Sequence, residues 1–199
     1  MVVTKEENNM EKTMMTDEVL EYKIEIATQT LERNIGFVTN CDNKTSIVLA
    51  VIGVLLTIIL TNEGMNTIFN ILRECFEKKN FCNVLYLLCF AVIVFVMSLG
   101  MFKLCGVLVA KTDEKAQGLE CAGSSIFFSG IRKNGDYKVY KTKFCKMNKV
   151  ELLDELIIQI YINADIATQK YRKYNEGLKL TIIGFVLFAF ILVIGIYVY

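Results

Sequence analysis

The sequence predicts a mainly α-helical membrane protein: three transmembrane helices plus a small cytosolic module formed by helix extensions and a short hairpin or loop segment. Three observations carry this. The chain is 54% hydrophobic yet 22% charged, and the charges lie outside three long apolar runs. Proline is absent, which suits long uninterrupted helices. Apolar residues outside the runs recur at spacings of three and four, the period of a helix face.

Residues 1–16 are polar and acidic, with no apolar stretch after a basic start. They read as a disordered tail and not as a signal peptide. From Asp17, the stripe Val19, Leu20, Ile24, Ala27, Leu31, Ile35 and Val38 predicts a cytosolic helix over 17–44, with Thr16 or Asp17 as its cap. Residues 45–61 form the first span. Sixteen uncharged residues follow Thr45, at the short end of the roughly 17–25 that cross a bilayer. Residues 62–83 form an external loop. There Ile68, Phe69, Ile71, Leu72, Cys75 and Phe76 fit a short amphipathic helix on the membrane surface, or a simple loop packed on the spans.

The second span covers 84–102, or reaches 110 if it is long and tilted. Lys103 interrupts the run. It reads as an anchor whose amine snorkels to the headgroups, with a pore-lining charge as the alternative. Residues 111–177 form the cytosolic module. Phe127, Phe128, Ile131, Tyr137, Val139, Tyr140 and Phe144 surround Gly130 and the turn signal Asn134-Gly135. Either a hairpin or a short helix followed by a turn fits this segment. From Val150 the chain becomes an amphipathic helix, with Leu153, Leu156, Ile157, Ile160, Ala164, Ala167, Tyr171 and Tyr174 on one side. It runs without a break into the third span, 178–199.

Fourteen of the 22 Lys and Arg residues lie between Lys103 and Lys179, five precede the first span, and three fall between spans one and two. The positive-inside rule then puts the N-terminus and the long connection in the cytoplasm, and Tyr199 outside. The seven cysteines are odd in number and form no CxxC pair. They read as scattered reduced thiols, with Cys75 and Cys82 alone able to share an outer loop.

Composition excludes several functions. With no His, a histidine base or His-ligated metal is impossible. The phosphate-loop and dinucleotide glycine patterns are missing. Ser124 and Ser125 have no adjacent base of known spacing, and Asp154 and Glu155 are sequence neighbours on a helix, not facing carboxylates. No catalytic residue, metal or cofactor is expected, and the chain reads as a non-enzyme. A net charge of +1 gives no general attraction to nucleic acid polymers.

Three constellations remain, each with a plainer reading. Asp42 and Lys44, at the mouth of span one, lie two apart and need separate partners, or simply mark a charged boundary. Phe127, Phe128, Arg132 and Lys133, with Tyr140 nearby, could stack a base and hold a phosphate, or plug a small core. Gln159, Asn163 and Lys170 form a polar stripe able to bind a ligand, or a solvated face.

The chain resembles the Pycsar transmembrane effectors of bacterial antiphage defence. The resemblance rests on Asp42-Asn43-Lys44-Thr45-Ser46-Ile47-Val48-Leu49-Ala50, on Phe127-Phe128-Ser129-Gly130-Ile131 with Tyr137 and Tyr140, and on Gln159-Ile160-Tyr161, Ile166-Ala167 and Lys170-Tyr171 before the last span. It covers residues 31–192. Thr45 stands where the family often has Ala. The resemblance implies a multi-pass protein of the bacterial inner membrane that binds cyclic UMP or cyclic CMP, made by a partner cyclase. It also implies impaired membrane integrity and an aborted infection. Such an effector works as a homo-oligomer in the lipid bilayer, because one three-helix protomer encloses too little for a pore. A constitutive scaffold with a protein-binding cytosolic module is the alternative.

Overall fold

A computed structural model describes residues 17–78, 80–109, 124–133 and 135–198. The described residues form six helices: α1 (Asp17–Ile59), α2 (Asn62–Lys78), α3 (Phe81–Leu108), α4 (Phe128–Lys133), α5 (Tyr137–Lys146) and α6 (Lys149–Val198). Three of them, α1, α3 and α6, are long and apolar enough to cross a membrane. The expected tail, 1–16, lies outside the described residues.

There are two compact units. The first comprises Met1–Val38 and Lys111–Ala167; the second comprises Thr39–Ala110 and Thr168–Tyr199. Both boundaries between them fall inside a continuous helix, α1 or α6.

The first unit has its core where two predicted stripes meet. Leu20 and Ala27 of α1 pack with Leu153 and Leu156 of α6, and Ile24, Leu31, Ile126, Val150 and Ile160 close around them. Val19, Ile35 and Ile157, also in those stripes, are exposed, so the buried face is narrower than the apolar pattern. Lys149 donates to Glu21 at 2.6 Å and lies 3.6 Å from Asp17, joining the starts of the two helices. The hydrogen bond to Glu21 raises the Lys149 amine above its usual range. Asn148 caps α6 reciprocally: its side-chain oxygen accepts from the Glu151 amide at 2.9 Å, and Glu151 accepts from the Asn148 amide at 3.1 Å. This satisfies donors that a helix start leaves open.

The segment read as a hairpin or helix-turn takes the second form, and no strand occurs among the described residues. Gly135 has φ +76° and its amide donates to Arg132 at 3.3 Å. The turn signal therefore stops a helix, where a glycine tolerates the left-handed backbone. Before α4, the Glu155 carboxylate accepts from the Ser124 hydroxyl at 3.0 Å and from the amides of Ser125 at 2.9 Å and Ile126 at 3.2 Å. Ser124 in turn accepts from the Phe127 amide at 3.1 Å. A Cβ on Gly130 would sit 2.7 Å from the Ser124 backbone, so only glycine permits this approach.

In the second unit α3 and α6 meet along a seam. The buried α6 positions Gly177, Thr181, Gly184, Phe188, Ile191 and Gly195 alternate spacings of four and three, as in a coiled coil. Opposite them Met97, Gly100, Leu104 and Val107 are buried. A Cβ at Gly184 would lie 2.9 Å from Met97 Cα, and one at Gly100 would lie 2.6 Å from the Thr181 amide nitrogen. The helices touch backbone to backbone there, which small residues allow and which favours association in lipid. Further along, the Phe90 and Phe188 rings are 5.8 Å apart. At the end of the seam the Tyr86 hydroxyl donates to the Ile191 carbonyl at 2.9 Å, reaching it past the bare Cα of Gly195.

The connection between spans one and two contains α2, so the helical alternative describes that stretch. Ile71 and Cys75, four apart, are its buried face, and Phe69 and Phe76 are exposed. Cys75 is buried and Cys82 exposed, and both are free thiols.

The seam makes Gly184→Leu costly, by about 1–3 kcal/mol of overpacking. Gly53→Leu on α1 is the control, because nothing lies within 4 Å of a Cβ there. Thermal unfolding of the purified protein in detergent should show a lower midpoint for the first only; equal midpoints would refute the seam. Glu155→Ala strips two backbone amides of their partner, a loss of about 1–3 kcal/mol. Hydrogen exchange over residues 124–133 should accelerate, while the exposed Asp154→Ala leaves it alone; unchanged exchange in Glu155→Ala would show that the carboxylate holds nothing.

Candidate functional site

The residues singled out by chemistry fall in both units, and each unit is described by itself. In the first, Phe127 and Phe128 lie with ring centroids 4.7 Å apart, and Phe128 is 63% exposed. Arg132, one turn further along α4, is exposed as well. This short helix thus offers an aromatic face and a guanidinium to solvent. The side chain of Lys133 lies outside the described residues. Tyr140 is half-buried; its hydroxyl donates to the Ser125 carbonyl at 3.1 Å, and its ring lies 5.9 Å from Phe144. It therefore ties α5 to the serine turn that Glu155 holds.

Gln159 and Asn163 share a face of α6. Gln159 is buried at 4% exposure, and the Asn163 amide donates to the Gln159 carbonyl at 2.9 Å. Asn34 of α1 donates to the next carbonyl, Ile160, at 3.2 Å. The Asn34 amide links α1 to α6, whereas the Asn163 bond stays within α6. Of the residues singled out in this unit and described, Phe128 and Arg132 are exposed and Gln159 is enclosed.

In the second unit, Asp42 finds its partner on another helix. Its carboxylate accepts from Lys170 at 2.5 Å, and the lysine side chain is only 6% exposed. Thr45 and Cys41, on the same face of α1, are fully buried, and the Thr45 hydroxyl donates to the Cys41 carbonyl at 2.8 Å. Lys44 points elsewhere and is exposed, as a separation of two on a helix requires. The structure therefore joins Asp42 to Lys170 and leaves Lys44 apart. A buried charge is held only against its partner: removing one side of such a pair costs about 3–5 kcal/mol.

Lys103 donates to Glu176 of α6 at 2.7 Å, and both side chains are about half exposed. This hydrogen bond holds the Glu176 carboxyl below its usual range. Lys103 is thus paired with a carboxylate of the neighbouring helix.

Sequence reasoning missed Glu155, Ser124 and Ser125 as a cluster. They are thirty residues apart, and no local spacing signals a carboxylate closing on a distant turn. It also missed the partners of Asp42 and Lys103. The partner of Asp42 could have been sought among cations on the other long helices, since a half-buried carboxylate needs one.

The chain was compared with known proteins. The family model described as the Pycsar effector protein domain, PycTM, matches residues 26–196. A Pycsar effector protein from Gulbenkiania mobilis is 27% identical over 193 residues, covering 92% of this chain and 94% of the relative. One from Escherichia coli is 24% identical over 161 residues, covering 79% of this chain and 82% of the relative. No solved structure matches. Since the family model takes in both helical units and all three span-length helices, this chain belongs to the Pycsar transmembrane effector family.

Proposed function

We propose that the chain is a multi-pass effector of the bacterial inner membrane. It binds cyclic UMP or cyclic CMP in the cytoplasm and then impairs membrane integrity, aborting phage infection. The N-terminus and the first unit are cytoplasmic, and the C-terminus is external. The observation that carries this reading is α6: one helix of 50 residues that begins in the core of the first unit and ends as an apolar span. A helix of that kind is stiff, so a change in packing at Leu153 and Leu156 is passed along it instead of being lost in a flexible joint.

The chemistry is simple. A cyclic pyrimidine mononucleotide presents a flat base and one phosphodiester anion. Phe128 supplies an exposed ring for the base, and Arg132 a guanidinium for the phosphate. Ligand binding shifts the protein only if the two packings differ in affinity; moving a 1:99 equilibrium to 99:1 takes about 5.5 kcal/mol of difference. Buried Gln159 and half-buried Asn163 distinguish such packings, because they contact the ligand in one and their neighbours in the other. Disruption of the bilayer follows from self-association, since three spans per protomer are too few to enclose a pore.

Titration of the purified protein in detergent with cyclic UMP, cyclic CMP and purine cyclic nucleotides should raise the melting midpoint with a pyrimidine ligand. Arg132→Gln should weaken that response about tenfold or more. A flat response to every cyclic nucleotide would leave the scaffold reading. In cells carrying effector and cyclase, phage infection should collapse the membrane potential; a steady potential would remove the disruption half of the proposal. Orientation is tested with single-cysteine variants, as Cys82 and Cys145 are exposed thiols at the start of α3 and in α5. A membrane-impermeant maleimide should label Cys82 from outside intact spheroplasts and Cys145 only after lysis. The reverse pattern would invert the topology.

A further inference from the structure

Between α3 and α6 lies a cleft of about 420 Å³ lined by Phe102, Lys103, Gly106, Arg172, Lys173 and Glu176. Three of the six are cations and one is an anion. Lys103 and Glu176 are bonded to each other at 2.7 Å. Arg172 and Lys173 form no close ion pair among the described residues, and although Arg172 acts on Glu176 through space, three cations against one carboxylate leave the lining with a net excess of two positive charges. It is open at its floor: nothing lies within 4 Å of a Cβ built on Gly106. Its level along the helices is marked twice. The apolar run of α3 ends at Phe102, which is 80% exposed, and the charges of α6 end at Lys179 before the apolar run begins. An aromatic side chain and basic residues at that level belong to a membrane–water interface.

We propose that this cleft binds a phosphodiester monoanion. Arg172 offers its planar fork to two phosphate oxygens, Lys173 adds a point charge, and the Lys103–Glu176 pair forms a fixed wall. Two sources supply this group. One is the headgroup of an anionic phospholipid such as phosphatidylglycerol, whose acyl chains continue along Phe102. The other is the cyclic phosphodiester of the messenger. Basic pockets between membrane helices on the cytoplasmic side suit the first source. The second rests on the nucleotide reading given above, whereas the first stands without it.

The full-length protein in zwitterionic detergent is titrated in two arms: short-chain phosphatidylglycerol against short-chain phosphatidylcholine, and cyclic UMP and cyclic CMP without anionic lipid. Wild type is compared with Arg172→Gln/Lys173→Gln, which removes charge from exposed and half-buried positions, and with Gly106→Leu, which fills the cleft without changing charge. Lipid as the source predicts that phosphatidylglycerol stabilises wild type more than phosphatidylcholine. Both variants then lose about tenfold or more in apparent affinity for it while keeping the nucleotide response. The messenger as the source predicts the converse, with the nucleotide response lost in both variants and the lipid response kept. The assignment is overturned if wild type answers neither ligand, or if both responses survive both variants. A lipid effect in wild type that both variants lose, with no nucleotide response, would uphold the cleft and remove the nucleotide reading; a lipid effect that both variants keep would overturn the cleft, so the two fail separately.

Discussion

Hydrocarbon offers peptide groups no water. Each unpaired N–H or carbonyl in it costs several kcal/mol, so a chain that crosses a bilayer must close its hydrogen bonds within the segment. The other features of this molecule follow from that constraint. The apolar runs must be helices, and with no proline to stop them the helices continue past the runs: α1 is 43 residues long and α6 is 50. Their continuations carry the amphipathic stripes of the first unit. The core around Leu20, Ala27, Leu153 and Leu156 is thus made from the same two helices that supply two of the spans.

Within lipid the hydrophobic effect does not drive helices together, so close packing must. The α3–α6 seam shows how the sequence meets this. Gly100 and Gly184 bring the backbones to distances that a Cβ would forbid, and a Cβ at Gly177 would be crowded at 3.0 Å. Phe188 and Ile191 fill the space where the helices are further apart, and the Tyr86 hydroxyl uses the second lone pair of a helical carbonyl beside Gly195. The first unit, by contrast, has polar fasteners: the Asn148 cap, the Lys149–Glu21 pair and the Glu155 carboxylate.

How much was legible in the sequence follows from how far apart the interacting residues stand. Properties of one contiguous segment could be read. The three long apolar helices and the stripes of α1 and α6 depend only on spacing and on missing charge. Asn134-Gly135 was legible as a turn but not as to what it joins, because the same left-handed glycine that closes a hairpin also ends a helix. Where the pattern was degenerate, tertiary packing decided: of the apolar stripe residues Val19 and Ile157 face out while Leu20 and Leu156 face in. At the candidate site, Asp42 and Lys170 were each recognisable as polar residues out of place. Their union, across 128 positions, was not. The grip of Glu155 on Ser125 and Ile126 was even less so, since backbone amides have no signature in sequence.

The charges near the membrane boundary of α6 divide into two kinds. Lys170 is buried and committed to Asp42, so it contributes to the fold and not to the field around the molecule. Arg172 and Lys173 are turned to another side of the same helix, into an open cleft where the one carboxylate is already held by Lys103. At a helical advance of about 100° per residue, positions 172, 173 and 176 share one arc and position 170 lies beyond its edge. Neighbouring lysines are thereby assigned opposite roles by rotation alone. Lys170 closes α1 against α6, and removing its charge leaves Asp42 half-buried without a cation. Lys173 makes no ion pair among the described residues and lines the cleft. Any rotation of α6 about its axis would exchange these environments, burying free charge or freeing buried charge. The pair and the cleft therefore oppose the same motion.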